Sequence, residues 1–173
     1  PRLALKTALT GPTRLIDSGE IDRMLFVNVA GVGFDAHLAD VFNHLRVRGS
    51  WSYLNSGIRE LLTYSSSKYK ISSGRQCFTM DAFLVTIANG PEYGLGAKIA
   101  PMASFDDAAL NLISVAPRNP VSLLLQSRRL FSGTIQRLTE VRFISSAAME
   151  IFSDHPIKFH AQPTSSSSHM NAN

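Results

Sequence analysis

Cysteine is nearly absent: Cys77 is the only thiol in the chain. That excludes an internal disulfide framework and a zinc site built on several thiolates. No run of 18 apolar residues occurs, which excludes a membrane-spanning helix. Charge is sparse, at 17% of residues, and the formal net charge is only +4. That surplus is too small to point to nucleic acid, which is not expected as a partner; anionic lipid or phosphate fits it as well. There is no Gly-x-Ser-x-Gly, no His-Glu-x-x-His and no Walker-type loop. No charged segment followed by an apolar stretch opens the sequence, so no signal peptide is expected and a cytoplasmic location is. What is present is a normal apolar share, 45% of 173 residues, enough for one ordinary folded domain.

The hydrophobic pattern divides the chain into strands in clusters with helices between them. Leu3 to Leu9 can form a short helix end closed by Gly11-Pro12, so residues 1–12 read as a linker. Thr13 to Ile16 reads as a short strand, followed by turn chemistry in Asp17-Ser18-Gly19-Glu20. Met24 to Ala30 is a buried strand. Helical spacing predicts helices near Asp35–Arg46, Trp51–Tyr64 and Pro120–Phe131. Asn119 caps the last of these, with Pro120 at its first position. Tyr69–Ser72, Phe78–Ala88, Ala109–Ala116, Glu140–Ile144, Ala148–Ser153 and Ile157–His160 read as strands. The fold class is α+β: a β-rich, sandwich-like domain over residues 13–163 with two or three inserted helices, because βαβ alternation is missing. The serine-rich tail, residues 164–173, has nothing to bury and is expected to be disordered.

Chemistry concentrates in four segments. Gly31 and Gly33 end a strand where the backbone bends or approaches something closely, and Asp35 opens a helix, where a carboxylate is favourable. The same residues also serve as a tight turn with an acidic first helical turn. Asn89, Gly90, Tyr93, Gly94 and Gly96 form a glycine-rich loop suited to the mouth of a site, or to a long hairpin connection. Asp106 and Asp107 are adjacent carboxylates that can hold a hard cation or simply shape a turn. His160 ends a strand, a position where histidine is most often structural. Arg128, Arg129, Arg137 and Arg142 gather late in the chain with Glu140 the lone acid among them, which suits anionic headgroups or a solvated face.

In this order and spacing, FVNVAGVGFDA, RGSWSYLNSGIRELL and ANGPEYGLGAKIAPMASFDDAALNL resemble the C-terminal half of the diacylglycerol kinase-like bacterial lipid kinases, relatives of sphingosine kinases and, more distantly, of NAD kinases. The opening ALKTALTGPTRLIDSGEI resembles the stretch joining that family's two domains. The resemblance implies a β-rich domain that receives the lipid, beside a separate domain that holds ATP on a Gly-Gly-Asp-Gly loop. It implies transfer of a γ-phosphate to a lipid hydroxyl, of diacylglycerol or sphingoid type, assisted by Mg²⁺. It assigns Gly31, Gly33, Asp35, Asn89, Gly90, Tyr93, Gly94 and Gly96 to substrate binding, and Asp106 and Asp107 to the metal-associated loop. Peripheral contact with a membrane is expected, and a homodimer is allowed.

Three departures qualify the expected activity. No nucleotide loop lies within these residues. The family's Asp-Gly-Glu-Pro, whose Asp is thought to deprotonate the acceptor, reads His160-Ala161-Gln162-Pro163. Its Asp-Asp-Gly reads Asp106-Asp107-Ala108, which puts alanine where φ > 0 is preferred. A neutral imidazole can accept a proton but is a poor Mg²⁺ ligand. Three readings follow. The first is the acceptor domain of a lipid kinase, inactive by itself. The second is a lipid-binding module without catalysis. The third is a domain of NAD kinase type, disfavoured because no matching Asn-Glu pair is found. The glycine-bearing loops Gly31–Asp35, Asn89–Gly96 and Ser104–Ala108 are expected to converge beside an apolar cleft.

Overall fold

The computed structural model describes residues 2–44, 50–74, 76–94 and 96–163. Helix α1 (Arg2–Thr10) leads into strands β1 (Gly19–Ile21) and β2 (Met24–Gly33), then helices α2 (Phe34–Asn43) and α3 (Ser50–Thr63). Strands β3 (Ser67–Ser73), β4 (Gln76–Ala82), β5 (Leu84–Ala88), β6 (Glu92–Gly94), β7 (Ala97–Lys98) and β8 (Leu110–Val115) follow. Helices α4 (Pro120–Gln126) and α5 (Arg128–Ser132) precede strands β9 (Val141–Ser146), β10 (Glu150–Ser153) and β11 (Phe159–Pro163). The α+β, sandwich-like architecture is as expected, with α2, α3 and the bent pair α4–α5 inserted between strands.

A six-stranded sheet runs β1-β2-β5-β8-β9, with β11 on the other edge of β2, and every pairing in it is antiparallel. A three-stranded antiparallel sheet, β10-β3-β4, packs over one face. Period-two alternation sorts the side chains. Val32, Val85 and Leu112 join Tyr69, Ile71 and Ala82 between the sheets. Val29, Ala88, Ile113, Val115 and Val141 point the other way, toward the helices, and pack with Leu123, Leu130 and Ile135.

The stretch Phe78–Ala88 is not one strand. It breaks at Phe83, where the chain leaves the small sheet and enters the large one. The Phe83 N–H donates to the Val115 carbonyl at 2.8 Å, and its carbonyl accepts from Phe34 N–H at 3.1 Å. The ring of Phe34 packs on Phe83 at 4.4 Å and on Tyr64 at 5.4 Å, which pins the start of α2 to the end of α3 and to this corner. His37 and Glu60, 2.7 Å apart, join α2 to α3.

Residues 13–16 form no strand. The segment is stitched instead to the loop at 104–108. Asp17 N–H donates to the Phe105 carbonyl at 2.6 Å, Ala108 N–H donates to Asp17 Oδ2 at 2.7 Å, and Arg14 pairs with Asp106. Leu15 is 95% exposed, so its β propensity has no sheet to join. Asn119 caps α4 as expected, its Oδ1 accepting from Val121 N–H at 2.9 Å. The expected end of the first helix at Arg46, the tail 164–173 and the side chain of Gln162 lie outside the described residues. Among the described residues no helix is long and apolar enough to cross a membrane.

Candidate functional site

Strand β2 ends in Gly33 at φ +77°, a left-handed value that a side chain would strain, and the chain turns there directly into α2. That turn brings Asp35, in the first turn of α2, back over the strand it has just left. A Cβ at Gly31 would lie 1.7 Å from Asp35 Oδ2. Gly31 therefore leaves the space its neighbour's carboxylate fills. The sequence singled out the pair; the structure shows that the glycine makes room for an acid of the same chain.

Asp35 is hydrogen-bonded to Tyr93, on β6. The Tyr93 hydroxyl also lies 2.5 Å from Thr86 Oγ1, on β5. Thr86 is a fully buried polar residue that sequence reasoning missed; its one signal is a hydroxyl inside the apolar run LVTIA. Burial pushes the Asp35 carboxyl up to about 6, against the opposing pull of the Tyr93 hydrogen bond. Burial first, then the charge of Asp35, pushes the Tyr93 hydroxyl well above its ordinary value. The tyrosine therefore stays a donor at neutral pH. His160, on β11, pairs directly across from Gly31 and so faces the same side of the sheet.

Asp35, Tyr93 and His160 line one cavity of about 700 Å³. Its remaining walls are almost wholly apolar. Phe34 and Leu38 come from α2, Ile58 and Leu61 from α3, Leu84 and Val115 from the sheet, and Leu123 and Leu130 from α4–α5. Roughly 300–1,000 Å³ with a few convergent polar groups is the range of small-molecule sites.

The other expected residues lie elsewhere. Asn89 is fully buried and structural on its amide side: Nδ2 donates to the Asp17 and Val27 carbonyls at 2.8 and 2.7 Å. It lines a second cavity, of about 740 Å³, with Asp17, Ala108 and Met149, not the one that holds Asp35. Gly90 admits the Phe105 ring, which a Cβ would strike. The first and second loops thus meet at Asp35 and Tyr93, and the second and third meet at Gly90 and Phe105. Gly96 adopts φ +80°, a turn requirement, and Gly94 pairs with Ala97 in the small β6-β7 ribbon.

Asp106 is engaged by Arg14 and by Ser104, and these bonds hold its carboxyl below the usual range, the serine contributing most. Asp107 Oδ1 accepts from Ala109 N–H at 3.1 Å. The two carboxylates therefore do not present a free pair to one point. Among the described residues no group of three or more His, Cys, Asp or Glu side chains could hold a metal ion. With Asp106 taken up by Arg14 and Ser104, and Asp107 by the Ala109 N–H, this pair as arranged does not fit a resident Mg²⁺. Ala108 has φ 53°, the strained value expected from its place in the loop.

Comparison with known proteins places the family and the fold. The model of the YegS C-terminal NAD kinase beta sandwich-like domain matches residues 28–165. The chain belongs to this family. A "probable lipid kinase YegS-like" of Chromohalobacter salexigens is 29% identical over 119 residues, 66% of this chain and 38% of that protein. A "probable lipid kinase YegS" of Salmonella newport is 30% identical over 112 residues, 63% of this chain and 38% of that protein. The matched part of this YegS-type domain thus spans 38% of these relatives' length. In fold it resembles a "putative diacylglycerol kinase" of Bacillus anthracis, with a TM-score of 0.70 at 19% identity over 94% of this chain and 53% of that one.

Proposed function

We propose that this domain holds the acceptor of a lipid kinase, with the acyl chain in the 700 Å³ cavity and the hydroxyl at its Asp35–Tyr93–His160 end. One observation carries the reading: the cavity is lined mostly by apolar side chains, with Gln126 and Ser127 on the α4–α5 side and Asp35, Tyr93 and His160 gathered at the sheet end. An acyl chain gains from leaving water along such walls. A hydroxyl buried beside it needs a partner, and these side chains supply both donors and an acceptor. A nucleotide substrate of NAD kinase type has no such use for a leucine-lined space. The relatives' names support a kinase as the whole protein's activity.

Within these residues, transfer itself lacks a base of the expected kind. His160 stands where the family's Asp is expected, and it can accept the hydroxyl proton only while neutral. The domain by itself is proposed to bind lipid and transfer no phosphate, with ATP held outside these residues. A lipid-binding module without chemistry is the second reading, and His160 is the observation that favours it.

The test is binding of a short-chain diacylglycerol by isothermal calorimetry. Saturable binding is expected. Leu38→Trp, which fills the cavity without adding charge, should weaken it at least about tenfold, the effect of roughly 1.4 kcal/mol. Equal affinity in both proteins would place the lipid elsewhere.

A further inference from the structure

Helices α4 and α5 carry an apolar surface that nothing among the described residues covers. Neither helix contains a buried residue. Leu123 and Leu130 turn inward to the cavity, while Val121, Leu125 and Phe131 are 59%, 64% and 64% exposed. Leu124 does both: it lines the cavity and is 45% exposed. The cavity is therefore separated from the outside by a single layer of side chains at this point.

Along this stretch of chain the charge has one sign, although Glu92 pairs in register with Lys98 across the β6-β7 ribbon. No Asp or Glu occurs from Ala108 through Thr139. Arg128 opens α5 exposed to solvent, with Arg129 next to it. Lys98 lies beside α5, its Cδ 3.3 Å from where a Cβ of Gly133 would be. Arg118 is excluded from this set, because Glu140 engages it at 2.5 Å. Arg142 is excluded too: it follows Val141 in β9 and so points to the opposite face of the sheet, which corrects its grouping with Arg128 and Arg129.

We propose that the outer surface of α4–α5 docks on an anionic lipid bilayer, setting Val121, Leu125 and Phe131 among the acyl chains and Arg128 and Arg129 at the headgroups. This rests on the acceptor reading and extends it: Leu124 then stands between the bilayer and the cavity, so a lipid enters without crossing water. An exposed apolar face rimmed by cations is what interfacial binding requires. A second copy of the chain fits less well. Two-fold pairing through α4–α5 would bring two sets of arginines together with no carboxylate on either helix to meet them.

Co-sedimentation of this protein with vesicles of phosphatidylcholine, with and without 30 mol% phosphatidylglycerol, tests the proposal. Partitioning onto the anionic vesicles should be about tenfold stronger and should fade as salt rises. The double variant Leu125→Glu, Phe131→Ser should lose at least about tenfold. Arg128→Gln with Arg129→Gln should remove most of the roughly tenfold advantage of the anionic vesicles, each cation being worth about threefold to fivefold. Phe152→Ser, exposed on the small sheet, should bind as the parent does. The substituted residues are exposed except Arg129, which is half-buried, and thermal melts check that the variants fold. The Leu125/Phe131 variant should keep its affinity for soluble short-chain diacylglycerol, so failure of the cavity reading shows separately. The proposal is overturned if the parent ignores anionic vesicles, if the Leu125/Phe131 variant binds them as well as the parent, or if that variant instead dissolves a homodimer.

Discussion

The carboxylate of Asp35 occupies the space that a side chain at Gly31 would take, two residues after the chain turns at Gly33. Gly31→Ala tests how much depends on that placement. The new methyl would stand 1.7 Å from Asp35 Oδ2. Asp35 must swing away and release Tyr93, so the change is expected to destabilise by about 1–3 kcal/mol. Diacylglycerol binding should weaken with it. Unchanged binding and an unchanged melting temperature would show that Asp35 can move freely and that its place over the strand is incidental.

The raised Asp35 carboxyl makes a pH prediction with a definite sign. Its folded value is about 6 against an ordinary 3.8. Between those values the folded protein binds more protons than the unfolded chain, so stability falls as pH rises. The contribution is full below pH 3.8 and is lost as pH passes through about 6. A shift of this size corresponds to at most about 3 kcal/mol, less because Asp35 keeps some contact with water in the cavity. Asp35→Asn removes the titration. The difference in melting temperature between variant and parent should therefore grow from pH 4 to pH 7 in favour of the variant. A constant difference across that range would mean that Asp35 titrates normally.

Ala108 offers a prediction of the opposite direction. Its φ of 53° suits glycine, while its N–H is held by Asp17 Oδ2 at 2.7 Å. Relieving the alanine of a left-handed conformation gains about 1–2 kcal/mol, partly offset by the greater freedom of glycine when unfolded. Ala108→Gly should raise stability by up to about 1 kcal/mol in denaturant titration. A loss of stability would mean that the loop holds alanine without strain.

Local signals in the sequence reached most of the fold. Leu38 and Val41 mark α2 by spacing, and Asn119-Pro120 marks the start of α4 by the chemistry of a helix N-terminus. Both depend on neighbours a few residues apart. The site was legible in part: Gly31, Asp35 and Tyr93 were picked out, and they meet. Their partner Thr86 was not, because its role depends on a strand and a ribbon coming together in space. Asn89 looked like a ligand residue for the same reason, and its amide proved to tie Val27 to Asp17. The strand expected at Thr13–Ile16 failed because propensity cannot show that no edge is available. Arg142 was misplaced because composition does not record which face of a strand a residue takes.

The last prediction concerns transfer. In a chain that joins this domain to a nucleotide-binding half of the family, His160→Asp with Gln162→Glu should raise lipid phosphorylation, since a positioned base contributes about 10²–10⁴-fold. The family pattern would also make Ala161 a glycine. The structure argues against that third change. Ala161 is 4% exposed and packs with Phe26, Ala30 and Ile87 on the face opposite the cavity. Removing its methyl costs roughly 0.8 kcal/mol of burial, and glycine within a strand costs about as much again. The double variant should therefore outperform the triple one in thermal stability while matching it in rate. A radiolabelled-phosphate assay with mixed lipid acceptors reads the rate. If the parent fusion is already as fast as the double variant, His160 is an adequate base or stands away from the chemistry. A variant that gains rate only with Ala161→Gly would show that the backbone at 161, not the side chain at 160, limits the reaction.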